Sequence, residues 1–144
     1  MSHVALVVPE GTQTSDRRLI NPDALTWRET VPVMAQDRNT PGHDNSLHVG
    51  NATNFRRQTV DGVTWIVADV TYDTDDDARE FQRLADEGKI SGVSADLGDV
   101  SAVVEVISDD EWLETVTAGE IIGFTQLPMP AFAGARIMTT SARS

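Results

Sequence analysis

Only one stretch of this chain carries the spacing of a helix. Over residues 75–87, Ala78, Phe81, Leu84 and Ala85 recur at helical intervals on one face. Thr74 is the expected N-cap, and Asp75, Asp76 and Asp77 fill a first turn where the helix dipole favours negative charge. Gly88 supplies the stop. The remainder reads as short strands broken by turn residues. A β-branched run at 3–8 ends at Pro9 and Gly11, and a second apolar run covers 31–35. Residues 47–56 and 63–71 read as two strands, with the hairpin signal Asp61-Gly62 inside a segment longer than a minimal turn. Further strands are expected at 92–97, 100–107 and 119–127. Pro128 and Pro130 then break the chain before a last apolar segment at 131–138. Asn21-Pro22 reads as a cap followed by proline at a first helical position, which predicts about one helical turn over 22–27. No repeat or long linker divides the chain. The expectation is one α+β domain over 1–138 and a loose, small-residue tail at 139–144.

Composition narrows what such a domain does. At 144 residues the chain can bury one core, and 40% hydrophobic content with three Trp argues for a folded globule. No apolar run approaches the ~20 residues that span a bilayer, and Met1-Ser2-His3-Val4 lacks the basic start of a signal peptide. A cytoplasmic protein with no membrane contact is expected. The absence of cysteine excludes disulfides, thiolate catalysis and cysteine-ligated zinc. A formal charge of −12 argues against nucleic-acid binding through phosphates, and favours solubility or a basic protein partner.

Two segments carry candidate chemistry. After the helix stop, the strand around Gly92-Val93-Ser94-Ala95-Asp96-Leu97 alternates faces, so Val93, Ala95 and Leu97 share an apolar side while Gly92, Ser94 and Asp96 share the other. That presents the Ser94 hydroxyl off the core among small neighbours, as a nucleophile requires and as many edge serines also are. Upstream, the polar loop 36–46 holds His43, placed just before a strand where a base could reach across to a neighbour. Taken alone, His43 reads first as a solvated loop histidine and His48 as a surface imidazole. Asp73, Asp75 and Asp77 alternate like the start of a calcium loop, but Ala78 stands where its glycine belongs and Leu84 where its closing glutamate belongs. Zinc has only His43 and His48 to offer. No metal and no cofactor is expected, and no glycine-rich phosphate loop is present.

Taken together, the pieces resemble a family. His43-Asp44-Asn45-Ser46-Leu47-His48-Val49-Gly50, then a helix, then Ile90-Ser91-Gly92-Val93-Ser94-Ala95-Asp96-Leu97, then Leu127-Pro128-Met129-Pro130-Ala131-Phe132 follow in the order and spacing of the prohead (capsid maturation) serine proteases of tailed bacteriophages. The opening Arg18-Leu19-Ile20-Asn21-Pro22-Asp23-Ala24-Leu25 and the run Val31-Pro32-Val33-Met34 fit as well. The resemblance covers about residues 3–138 and is nearest in look to actinobacterial phage versions.

This resemblance implies a mostly antiparallel β-barrel flanked by one main helix and short helices, related in fold to the herpesvirus capsid maturation proteases. It implies Ser94 as nucleophile and His43 as general base. It also implies a serine endopeptidase that trims scaffold or the major capsid protein precursor, and itself, inside the immature head in the host cytoplasm. The capsid precursor and scaffold are the implied partners, with a homodimer as an option. Many relatives carry a glutamate two residues before the Ser or Thr of the final strand, as a third catalytic member. That Thr is Thr125, and the matching position holds Gly123. Glu120, which would need a bulge because it faces the other side of an undistorted strand, Asp96 and His48 are the alternatives for a third member, and a Ser–His dyad is another. A non-enzymatic assembly or scaffold-type domain of the same fold is the competing reading. The end at Ser144 is compatible with a stand-alone, a truncated or a self-processed protease.

Overall fold

The computed structural model describes residues 2–13, 17–36, 46–130 and 132–140. Among these, nine strands and one helix follow in the order β1 (Ser2–Glu10), β2 (Arg18–Ile20), β3 (Leu25–Trp27), β4 (Thr30–Ala35), β5 (Leu47–Val60), β6 (Val63–Tyr72), α1 (Asp76–Asp86), β7 (Gly92–Ser108), β8 (Glu111–Leu127) and β9 (Arg136–Thr140). Seven of the strands close a barrel in the order β8–β4–β5–β6–β1–β9–β7, with β7 returning to β8. The pairings are antiparallel around the ring except β4 with β8. β2 and β3 lie parallel to β8, so one edge of that long strand is shared in succession by β2, β3 and β4. Closure removes the open edges that a flat sheet would leave.

The core follows from the strand sequences. Ala5, Leu6, Val7 and Val8 are all buried, so β1 is covered on both faces, as its unbroken apolar run requires. Val33, Val49, Ile66, Ile121 and Phe124 are fully buried within the same cluster. The helix α1 packs against β5, β6 and β9 through Ala78, Phe81 and Ala85. It is tied down by Gln126 of β8, which is fully buried. The Gln126 Nε2 donates to the carbonyls of Phe81 and Ile90 at 2.8 and 2.6 Å, and its Oε1 accepts from the Tyr72 hydroxyl at 2.8 Å. Burial, with the charge of Asp86 second, pushes the Tyr72 phenol far above the usual tyrosine range, so it stays a donor.

Several local expectations are corrected. The cap of α1 is Asp75, whose side chain accepts from the Ala78 amide, in place of Thr74. Residues 22–27 form a turn, with Asp23 at φ 64°, followed by strand β3; pairing to Gly119–Ile121 of β8 overrides the helix-start signal. Among the described residues α1 is thus the only helix, and the expected short flanking helices are absent. Pro9 lies inside β1 opposite Trp65. The Asp61-Gly62 turn is minimal: Val60 pairs with Val63, and both turn residues have positive φ, 52° and 83°. The strands expected at 92–97 and 100–107 are one strand, irregular around Asp99 (φ 51°), and its partner reaches back to Glu111. Thr139 and Thr140, expected in the tail, pair with β1, while 131 and 141–144 lie outside the described residues.

The long β7–β8 hairpin runs beyond the barrel as a ribbon, with β2 and β3 along the β8 side of its inner part. Val100, Val103, Val104, Val106, Ile107 and Trp112 are 46% to 75% exposed on it. Arg17 anchors the ribbon, donating to the Asp110 carbonyl at 2.6 Å and lying 4.3 Å over the Trp112 ring.

Candidate active site on the β7–β8 seam

Gly92 opens β7 because nothing larger fits. A Cβ there would stand 2.7 Å from the Leu127 carbonyl and 2.8 Å from Pro130 Cδ. From that start burial grades off rather than alternating: Gly92 and Val93 are buried, and Ser94, Ala95, Asp96 and Leu97 are all half-buried. Val93 is fully buried, and Ser94 points to the other face. Across the seam Ser94 pairs with Thr125 and Asp96 with Gly123. Residues opposed in an antiparallel pair share a face, so Ser94, Asp96 and Thr125 project together. The Thr125 hydroxyl, 2% exposed, donates to Asp96 Oδ2 at 3.3 Å. Gly123 packs closely on β4: a Cβ added there would stand 3.0 Å from the Pro32 carbonyl, and 3.8 Å, an ordinary contact, from Asp96 Oδ2.

Two clefts meet at this point. One, of about 410 Å³, is lined by Pro32 and Met34 of β4, Ser46, Asp96, Ile122, Gly123 and Thr125. The other, of about 300 Å³, holds Ser94 and Asp96 together with Arg18, Glu114 and Phe132. Asp96 is the residue that lines both. Arg18 also lies 5.5 Å from the Phe132 ring. The Ser46 Oγ is shielded from solvent and has no hydrogen-bond partner among the described residues.

His43 lies outside the described residues, so its relation to Ser94 is not part of this geometry. Of the described residues that flank this segment, Gln36 is bonded to β8, its amide donating to the Gln126 carbonyl at 2.9 Å, and Ser46 lies at the larger cleft.

The remaining candidates sit elsewhere. Glu120 is opposite Gly98, four residues along β7 from Ser94, or ~13 Å of strand. It accepts from Arg28 Nε and Nη2 at 3.3 and 3.2 Å beside a separate cleft. The bulge at Ile122 that the alternative needed does exist, since Asp96 pairs with Gly123 and Leu97 with Ile121, but it does not bring Glu120 to Ser94. His48 is on β5, three strand spacings or ~14 Å from β7, and its Nδ1 is 3.2 Å from Asp73 Oδ2. The structure therefore gathers Ser94 with Asp96 and Thr125, and leaves Glu120 and His48 apart. Sequence reading passed over Ser46, Arg18 and Glu114, which carry no local signal and reach the clefts only through pairing of distant strands. Among the described residues, no three His, Asp or Glu side chains gather where they could hold a metal ion.

A hydroxyl held on a rigid strand, with a carboxylate on the same face and an adjoining cleft, is suited to nucleophilic chemistry once a base is supplied. Comparisons with protein-family models, with curated proteins and with solved structures find no match to this chain.

Proposed function

We propose that this protein is a serine endopeptidase of the prohead maturation type. The observation that carries the reading is the seam itself, where Ser94 stands off the core beside Asp96 and Thr125 at the meeting of two clefts. The order of motifs along the chain supports it, as does the barrel with β7 and β8 side by side. Covalent connectivity adds to this. His43 is three residues from Ser46, a reach of at most ~11 Å, and Ser46 lines a cleft with Asp96.

In the proposed reaction His43 removes the Ser94 proton as the hydroxyl attacks the scissile carbonyl. It returns the proton to the leaving amine, and water then repeats the cycle on the acyl-enzyme. Of the alternatives for a third member, Asp96 is the one that shares the face of Ser94, so it is the group proposed to orient and charge-balance the imidazolium. Thr125 holds that carboxylate in place. The substrates proposed are the scaffold and the major capsid protein precursor, with action inside the immature head.

The test is intact-mass analysis of the cognate capsid precursor co-expressed with wild-type protein, with Ser94→Ala or with His43→Ala. Defined cleavage by the wild type alone, with all three proteins folded, is the expected result. Cleavage that survives Ser94→Ala would end this reading. The second reading, a non-enzymatic assembly domain, is favoured by the apolar side chains exposed on the β7–β8 ribbon. A serine-directed phosphonate separates the two, since only an activated Ser94 would be labelled.

A further inference from the structure

The β7–β8 ribbon has one closed edge and one open edge. Along β8, the Glu114 amide donates to the Arg17 carbonyl, and β2 and then β3 cover the strand from Glu114 to Ile121. Along β7, the side away from β8 is engaged at its start among the described residues, where Gly92 pairs with Arg136 and the Val93 amide donates to the Ala135 carbonyl. Among the described residues, no strand pairs with that side of the outer half of β7. Natural edges of this kind are guarded by lysine, proline or covering elements. This one carries Val103, Val104, Val106 and Ile107 instead, all more than half exposed.

The ladder to β8 is irregular between Gly98 and Ala102 and again between Val106 and Ser108. Between them, Ala102 to Val106 is a regular stretch of strand. On one of its faces lie Val104 and Val106, with Trp112 opposite Val106. On the other lie Val103 and Glu105. The ribbon's own strands carry charge of one sign, and the cation at its tip, Arg17, comes from the preceding segment and is engaged with the Asp110 carbonyl and the Trp112 ring. Residues 98–118 contain Asp99, Glu105, Asp109, Asp110, Glu111 and Glu114, and no Lys, Arg or His.

We propose that this edge is a docking site for an extended segment of another protein, added as a strand to β7 over Ala102–Val106. The segment alternates apolar residues, which lie beside Val104 and Val106, with lysine or arginine beside Glu105. Main-chain hydrogen bonds supply affinity and the alternate side chains supply specificity. A second copy of this chain is disfavoured as occupant, because two ribbons would set Glu105 of each among acidic groups of the other, while the nearby Arg17 is already engaged with the Asp110 carbonyl and the Trp112 ring. The surface lies on the ribbon, outside the Ser94–Asp96–Thr125 cluster, and stands whether or not that cluster is catalytic.

The test uses the full chain carrying Ser94→Ala, so that no probe is consumed, and a blocked heptapeptide of alternating lysine and valine. Three probes are compared by calorimetry: this peptide, its glutamate–valine counterpart, and the lysine peptide N-methylated at alternate residues. Binding of the first alone is expected, with amide exchange slowed at residues 102–106. Glu105→Lys, a surface change that leaves the fold intact, and the pair Val104→Lys with Val106→Lys should each weaken binding at least about tenfold. Equal binding of the lysine and glutamate peptides, binding of the N-methylated peptide, or no binding at all would overturn the proposal. So would exchange protection at 102–106 that appears with rising protein concentration alone, since a second copy would then be the occupant.

Discussion

Thr125 donates its hydroxyl to Asp96 at 3.3 Å across the β8–β7 seam, and the carboxylate it holds sits over Gly123. The pair lies beside Ser94, the direct partner of Thr125 in the ladder. An acid on β7 therefore stands next to the β8 position where Gly123 offers no side chain.

If that acid orients the base, Asp96→Asn should lower the rate of precursor cleavage about a hundredfold or more while leaving the unfolding midpoint nearly unchanged. Glu120→Gln should stay within about twofold of wild type, because its partner is Arg28. Single-turnover cleavage of the capsid precursor is the measurement. Loss of activity in Glu120→Gln with Asp96→Asn active would reverse the assignment.

Gln126→Leu should destabilise the fold by roughly 2–4 kcal/mol in urea unfolding. The change strands the Phe81 and Ile90 carbonyls and the Tyr72 hydroxyl, all joined to one fully buried amide. A loss under about 0.5 kcal/mol would mean that these groups find other partners.

Arg57→Ala should cost about 3 kcal/mol. Its Nε and Nη2 donate to Glu10 at 2.8 and 3.3 Å, and Glu10 is only 5% exposed. The guanidinium also lies 5.0 Å over the Trp27 ring, so packing is lost together with charge. Adding Glu10→Gln should restore part of the stability by removing the stranded charge, which a double-mutant cycle on urea midpoints would read.

Stability should also fall at both ends of the pH scale for identifiable reasons. Burial pushes the Asp86 carboxyl up, but hydrogen bonds from Thr139 and His3 outweigh it, and the net direction is down. A depressed folded pKa gives stability that is present above the unfolded value of 3.8 and lost as pH falls through the folded one. Tyr72 is raised, so its contribution is intact below its unfolded value of 10.0 and declines as pH rises beyond it. Urea midpoints should therefore drop below about pH 4 and above about pH 10. Asp86→Asn should flatten the acid limb and Tyr72→Phe the alkaline one. Unchanged limbs in these variants would assign the slopes to other groups.

The sequence by itself determined what depends on near neighbours. The face of α1, its glycine stop, the Asp61-Gly62 turn and the off-core side of Ser94 follow from spacing, capping and alternation, which act over a few residues. Even there, tertiary pairing prevailed at 22–27, where β8 drew the chain into β3. Only the tertiary structure decided the closure of the barrel, the parallel run of β2, β3 and β4 along β8, and the choice of neighbours for Ser94. Asp96 and Thr125 are 29 residues apart, and their contact depends on a strand register broken at Ile122. Register is set by summed pairing and burial over whole strands, a non-local quantity that no motif around Ser94 encodes.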